Sequence, residues 1–248
     1  MPQRLPLSKL ETLFLDAGNT LLSIDFTIVA DEFARHGVHA SAAAIQRAEA
    51  KARPALSDWI ARSISQQTAD AHFSFLENVL LHLLGEAGPS AAERARIAEA
   101  SSARIYRPGA SDELWNVPLP GVAEALRELR ALGLKLVVVS NADGTVDRGL
   151  TRAGLRGLLD VVIDSHLVGF EKPDPRIFTH ALETSCARPE TTLHVGDLYA
   201  ADVTGARAAG VHALLLDPHD DWPPVDCARL PDVPTLARLI GNARSLSA

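Results

Sequence analysis

Apolar and polar positions follow two rhythms along this chain. Leu13-Phe14-Leu15 is an unbroken apolar run that ends in Asp16 and then breaks into Ala17-Gly18-Asn19-Thr20. A run without alternation predicts a strand buried on both faces, here over 11–17, that delivers its acid to the C-terminal edge. From about residue 26 to 111 the spacing turns helical. Residues 42–52 are Ala-rich and strongly helix-forming, with Ser41 as a plausible N-cap. Residues 71–84 put Phe73, Leu76, Leu80 and Leu84 on one face and end at Gly85 or Gly88-Pro89. Residues 91–105 predict another helix, capped by Ser90. The stretch therefore reads as an all-helical module.

After Pro118-Leu119-Pro120-Gly121 the rhythm becomes strand, helix, strand. Strands are expected over 135–139, 161–163, 192–196 and 212–216. Helices are expected over 122–132, 145–153, 176–185, 200–209 and 235–240, several of them stopped by a glycine. The Pro- and Asp-rich stretch 217–234 reads as a loop. Units of this size in alternation predict an α/β fold with a parallel, Rossmann-like sheet flanked by helices. The boundaries follow: a sheet domain over 1–22 and 113–248, with the helical module inserted over 23–112. An insert leaving just after the first strand can act as a lid over the edge that carries Asp16.

Composition narrows the setting. The chain has 248 residues, 47% of them hydrophobic, which is ample for a sizeable core. The formal net charge of -7 and the absence of a basic run argue against nucleic-acid or anionic-membrane partners. Cys186 and Cys227 lie far apart, outside any metal-ligand spacing, and read as reduced thiols. There is no apolar run of signal-peptide or membrane-span length. The expectation is a soluble cytoplasmic protein, monomer or homodimer, with a small-molecule substrate.

The candidate chemistry sits at the strand ends. Asp16 can serve as a nucleophile toward phosphorus, or simply cap a turn. Thr20 suits a bond to that carboxylate or to a phosphate, or caps the next helix. Ser140 and Asn141 follow the apolar run at 136–139, where a hydroxyl and backbone N–H groups suit phosphate oxygens, or form an ordinary turn. Lys172 is one of four lysines and stands in the loop Glu171-Lys172-Pro173-Asp174. Its ammonium can neutralise a nucleophile and a phosphate, or be solvated. Gly196-Asp197, with Asp202 beyond a turn, offers acids for a hard cation such as Mg2+, or a helix cap.

In this order, each at a predicted strand end, these motifs resemble the haloacid dehalogenase superfamily of hydrolases, which are mostly Mg2+-dependent phosphatases. The resemblance covers nearly the whole chain, including a helical cap inserted after the first strand. It implies Asp16 as nucleophile, Ser140 as phosphate ligand, Lys172 as the loop lysine, and Asp197 as a Mg2+ ligand with Asp202 as supporting acid. The Gly18 carbonyl would complete the metal's protein ligands with Asp16.

One position departs. Phosphatases of this family carry a second Asp two residues after the nucleophile, as proton donor; here that residue is Gly18. Positioned acid–base catalysis is typically worth ~10²–10⁴-fold. Its loss should hurt alkyl phosphates most and acyl or aryl phosphates least. Three other readings share the missing acid. The family's dehalogenases need no proton donor, but they lack the Gly-Asp pattern seen at 196–197. Its phosphonoacetaldehyde hydrolases use a cap lysine; Lys51 stands in an Ala-rich helix beside Glu49, where a solvated face is the simpler role. The third reading is a binding or regulatory protein with little turnover. Arg47, Arg53, Trp59, Arg62 and His72 are polar or aromatic candidates for substrate choice in the insert.

Overall fold

The computed structural model describes residues 5–66 and 71–246, and of residues 63–66 and 71–74 the backbone alone. Two compact units divide the chain: Met1–Ile24 with Ser111–Ala248, and Asp25–Ala110.

The first unit is built on six strands: β1 (Thr12–Leu15), β4 (Lys135–Ser140), β5 (Val161–Asp164), β6 (Thr192–Gly196), β7 (His212–Leu216) and β8 (Ala228–Leu230). Two further strands, β2 (Leu22–Ile24) and β3 (Trp115–Pro118), form a separate antiparallel pair. The main sheet runs β5-β4-β1-β6-β7-β8, with every pairing parallel. Register is set by Leu15 lying level with Val138 on one side and Val195 on the other. All four β1 residues are buried, as are Leu136 to Ser140 of β4, because helices cover both faces. One core layer joins Leu13, Leu15, Leu136 and Val138 to the helices Val122–Ala131 and Val233–Ser245. The other joins Phe14, Val137 and Val139 to Phe178 of the helix Pro175–Ser185. The chain reverses direction across the sheet at β1, between β4 and β6. In open parallel sheets that is where a crevice opens at the C-terminal edge.

Sequence and structure part at three places. Residues 217–234 are not all loop: Ala228–Leu230 pairs in parallel with β7, held by Arg229 Nη1 donating to Asp217 Oδ2 at 2.8 Å. Three half-buried residues are too few to show a period. The strands β2 and β3 are similarly short, and their register shifts at Ser23/Ile24, so neither shows as a pattern. The helix expected over 200–209 starts with a wider turn at Tyr199–Thr204 and becomes an α-helix only at Gly205–Ala208. Such widened turns are frequent at functional sites; this one carries Asp202.

The second unit is helical: Phe26–Arg35, Ala42–Gln66, Ala71–Leu84 and Ala91–Ile105. Ser41 accepts from the Ala44 N–H, and Ser90 forms a reciprocal capping box with Glu93. Ile45, Leu76, Val79, Leu80, Ile97 and Ala98 are buried. So is the pair Glu49–Arg53, with Arg53 Nη2 donating to Glu49 Oε2 at 2.6 Å. Arg53 is thus tied within its own helix. The His72 side chain and the Phe73 position of the predicted apolar face fall outside the described side chains. No helix among the described residues is long and apolar enough to cross a membrane.

Candidate active site

Asp16 stands one residue past β1, with its N–H bonded to the Val195 carbonyl of β6 at 2.9 Å. Lys172 reaches it from the loop after β5. Lys172 Nζ donates to Asp16 Oδ1 at 2.6 Å and to Asp202 Oδ1 at 2.7 Å, and its side chain is buried. The loop is fixed by Asn141, whose amide bonds the Lys172 backbone twice. Lys172 N–H donates to Asn141 Oδ1 at 2.7 Å and Asn141 Nδ2 donates to the Lys172 carbonyl at 2.8 Å. The Asn141 side chain therefore holds the lysine loop. Ser140, one residue earlier at the end of β4, is buried.

Asp202 carries three donors. Besides Lys172, the Leu198 N–H reaches Oδ2 at 2.9 Å and His194 Nε2 lies 2.9 Å from Oδ1. A β-carbon on Gly196 would fall 2.2 Å from the Asp202 carboxyl carbon, so only glycine lets the strand end lie against this acid. Asp197 is buried and accepts from Asn19 Nδ2 at 3.1 Å. Asn19 itself lies at φ 53, the left-handed region that Asn tolerates. Ligand oxygens of Asp16, Asp197 and Asp202 all lie within 4.8 Å of one another. The Thr20 hydroxyl is buried with no hydrogen-bond partner among the described residues.

Burial is the strongest influence on all four central groups, but it does not win at each. It pushes the Asp16 carboxyl above the usual carboxylate range, against the pull of Lys172. It would lower Lys172, but Asp16 and Asp202 outweigh it and hold the ammonium charged. It would raise Asp202, but Lys172 and His194 hold that carboxyl well below the usual range. It lowers His194, which is therefore neutral. With Asp202 ionised, the His194 proton belongs on Nε2, as donor, and Nδ1 is left buried and unpartnered among the described residues.

The candidate nucleophile, lysine, phosphate and metal residues from the sequence lie in the first unit, where three acids and Lys172 meet in one cluster, whereas the substrate-choice candidates Arg47, Arg53, Trp59, Arg62 and His72 belong to the second. His194 is the residue that sequence reasoning passed over, and a histidine inside an otherwise apolar strand was a usable signal for it.

Comparison with known proteins places the chain. A model of haloacid dehalogenase-like hydrolases matches residues 10–210. The mouse haloacid dehalogenase-like hydrolase domain-containing protein 3 is 39% identical over 159 residues, covering 64% of this chain and 60% of that protein. A phosphoserine phosphatase of Thermus thermophilus is 42% identical over 146 residues, 58% of this chain and 55% of its own length. The chain spans about half the length of the curated relatives it matches. Among solved structures, the HAD-hydrolase YfnB of Bacillus subtilis, described as bound to magnesium, superposes with a TM-score of 0.63 at 18% identity, over 93% of this chain and 98% of that one. At that identity the likeness speaks for the fold. By the family match over residues 10–210, this chain belongs to the haloacid dehalogenase-like hydrolases.

Proposed function

We propose that this protein is a Mg2+-dependent phosphatase that acts on a small phosphorylated metabolite through a phosphorylated Asp16. The observation that carries the reading is the buried cluster itself. Three carboxylates, Asp16, Asp197 and Asp202, face one ammonium, Lys172. Ionised, they leave an excess of two negative charges out of water, which is costly unless a cation joins them. Carboxylate oxygens this close suit a hard divalent ion. Asp16, Asp197 and the Gly18 carbonyl would hold it, with Asp202 as the supporting acid whose oxygens are already taken by Lys172, His194 and the Leu198 N–H. Such an ion, when bound, offsets charge on the phosphate oxygens.

The chain's own residues do the rest. Asp16 attacks phosphorus, the bond from phosphorus to the leaving oxygen breaks, and that oxygen departs with the bonding pair. Water then cleaves the acyl phosphate on Asp16, releasing inorganic phosphate. Lys172 counters charge on the nucleophile and on a phosphate oxygen. Ser140 and the Thr20 hydroxyl bind the remaining oxygens, and Asn141 fixes the Lys172 loop. The helical module at 23–112 acts as the substrate-selecting cap. The phosphoserine phosphatase relative supports phosphoryl chemistry at the level of the family.

The test is phosphate release from acetyl phosphate, p-nitrophenyl phosphate and glucose 6-phosphate, each with Mg2+, with EDTA, and with Asp16→Asn. Expected are Mg2+-dependent turnover of the two activated esters, slow turnover of the sugar phosphate, and loss of all of it in Asp16→Asn. No turnover of any of the three, with Mg2+ still binding, would sink the reading in favour of a binding protein.

A further inference from the structure

Gly18 does not owe its identity to backbone conformation, because it is absent from the positive-φ glycines. What a side chain there would meet is Trp115. A β-carbon built on Gly18 would lie 3.1 Å from Trp115 Cζ3 and 3.2 Å from Cη2, tighter than ordinary van der Waals contact. The six-membered ring of the indole therefore packs on the Gly18 α-carbon, two residues from Asp16. Both partners are held there. Gly18 bridges to Leu22 inside a turn closed by the Leu21 and Leu22 N–H groups on the Ala17 carbonyl. Trp115 opposes Ile24 in the β2–β3 pair. A side chain at 18 would start in tight contact with this aromatic ring, which would have to yield by a few tenths of an ångström.

We infer that Trp115 is a specificity-determining residue: its indole replaces a proton-donating side chain at position 18 with an apolar wall, restricting the site to phosphate compounds whose leaving group departs as a stable anion. The inference rests on the phosphatase reading and names its substrate class: acyl and aryl phosphates over alkyl esters. In the step described above, the leaving oxygen takes the bonding pair and no proton. A carboxylate or phenolate tolerates that, whereas an alkoxide does not. An indole carries no ionisable proton in this range and excludes water from the face it covers. An aspartate at 18 would have to push the Trp115 ring aside before its carboxyl could reach the site.

The test is a cycle of Gly18→Asp, Trp115→Ala and the double variant, assayed with Mg2+ on p-nitrophenyl phosphate and glucose 6-phosphate. Gly18→Asp alone is expected to give no rise in sugar-phosphate turnover. The double variant is expected to raise it about 10²-fold over Trp115→Ala, the low end of what a positioned acid supplies. A rise in Gly18→Asp equal to that in the double variant overturns the inference. So does a double variant that gains nothing while p-nitrophenyl phosphate is still hydrolysed. A wild type inert on both esters instead defeats the phosphatase reading, and the leaving-group assignment with it. A second cycle reads the packing without any turnover. Gly18→Ala should lower the melting temperature when Trp115 is present and leave it unchanged in Trp115→Ala; equal costs in both backgrounds would overturn the packing argument.

Discussion

Both units bury charge, and they do it in opposite ways. In the helical unit the buried pair Glu49–Arg53 is made by residues four apart on one helix, the spacing at which side chains share a face. One positive charge meets one negative at 2.6 Å within the helix. In the sheet unit the partners are 156 and 30 residues apart in sequence. They arrive from the ends of β1 and β6, from the loop after β5 and from the widened turn before Gly205, and their charges do not balance. A local pair of opposite charges is a structural device. A non-local, unbalanced cluster at the sheet's direction reversal costs stability to assemble, which is the mark of a site kept for binding something.

That contrast can be broken experimentally. The largest effect belongs to Lys172→Ala. It should reduce turnover of p-nitrophenyl phosphate by roughly 10²–10³-fold, as for loss of a charge-stabilising donor, and it should lower stability as well, both read in one preparation by initial rates and urea melts. Asp202→Asn comes next, because three donors lose their ionised acceptor. Breaking a buried pair costs about 3–5 kcal/mol, so the denaturation midpoint should fall accordingly. Its pH dependence has a definite sign. A carboxyl held below its usual range contributes stability that is present above that range and lost as the pH falls through its folded value. The acid limb of the wild-type stability curve should therefore flatten in Asp202→Asn.

In the helical unit, Glu49→Gln alone should cost about 3 kcal/mol, yet Glu49→Leu with Arg53→Met should return to within about 1 kcal/mol of wild type, since a buried pair of opposite charges is replaceable by apolar packing. If the double variant stays as unstable as the single, the pair is more than a structural device and the comparison fails. The smallest effect on stability belongs to Asp16. Its carboxyl is held above the usual range, so the stability it contributes is present at low pH and falls as pH rises from that range to the raised value. Without metal at neutral pH, Asp16→Asn should melt at or slightly above wild type, within about 1 kcal/mol, while losing activity. A clear loss of stability would mean that Lys172 outweighs burial at this acid.

The long apolar strands were plain in the sequence because strands covered on both faces need no alternation, and the helices because their caps and stops are local. Ser90, Ser41 and Gly85 each act within a few residues of themselves. The pieces that escaped are short: β2, β3 and β8 draw their stability from pairing with distant neighbours. The same limit held at the site. Asp16, Lys172, Asp197 and Asp202 were visible as residue types at strand ends. The bond of the Asn141 side chain to the backbone of Lys172, 31 residues away, was not legible in the sequence.

What the chain's sequence determined on its own was therefore the alternating α/β plan, the helical stretch within it, and the identity of the acids and lysine set at the strand ends. These follow from burial and from hydrogen bonding between near neighbours. Tertiary structure alone decided which of them touch. It set Lys172 between Asp16 and Asp202, brought His194 to Asp202 from inside a strand, and laid Trp115 on Gly18. The Lys172–Asp16 and Trp115–Gly18 contacts span wide sequence separations, and even the His194–Asp202 contact, eight residues apart, needs the widened turn after β6 to fold the acid back onto its strand.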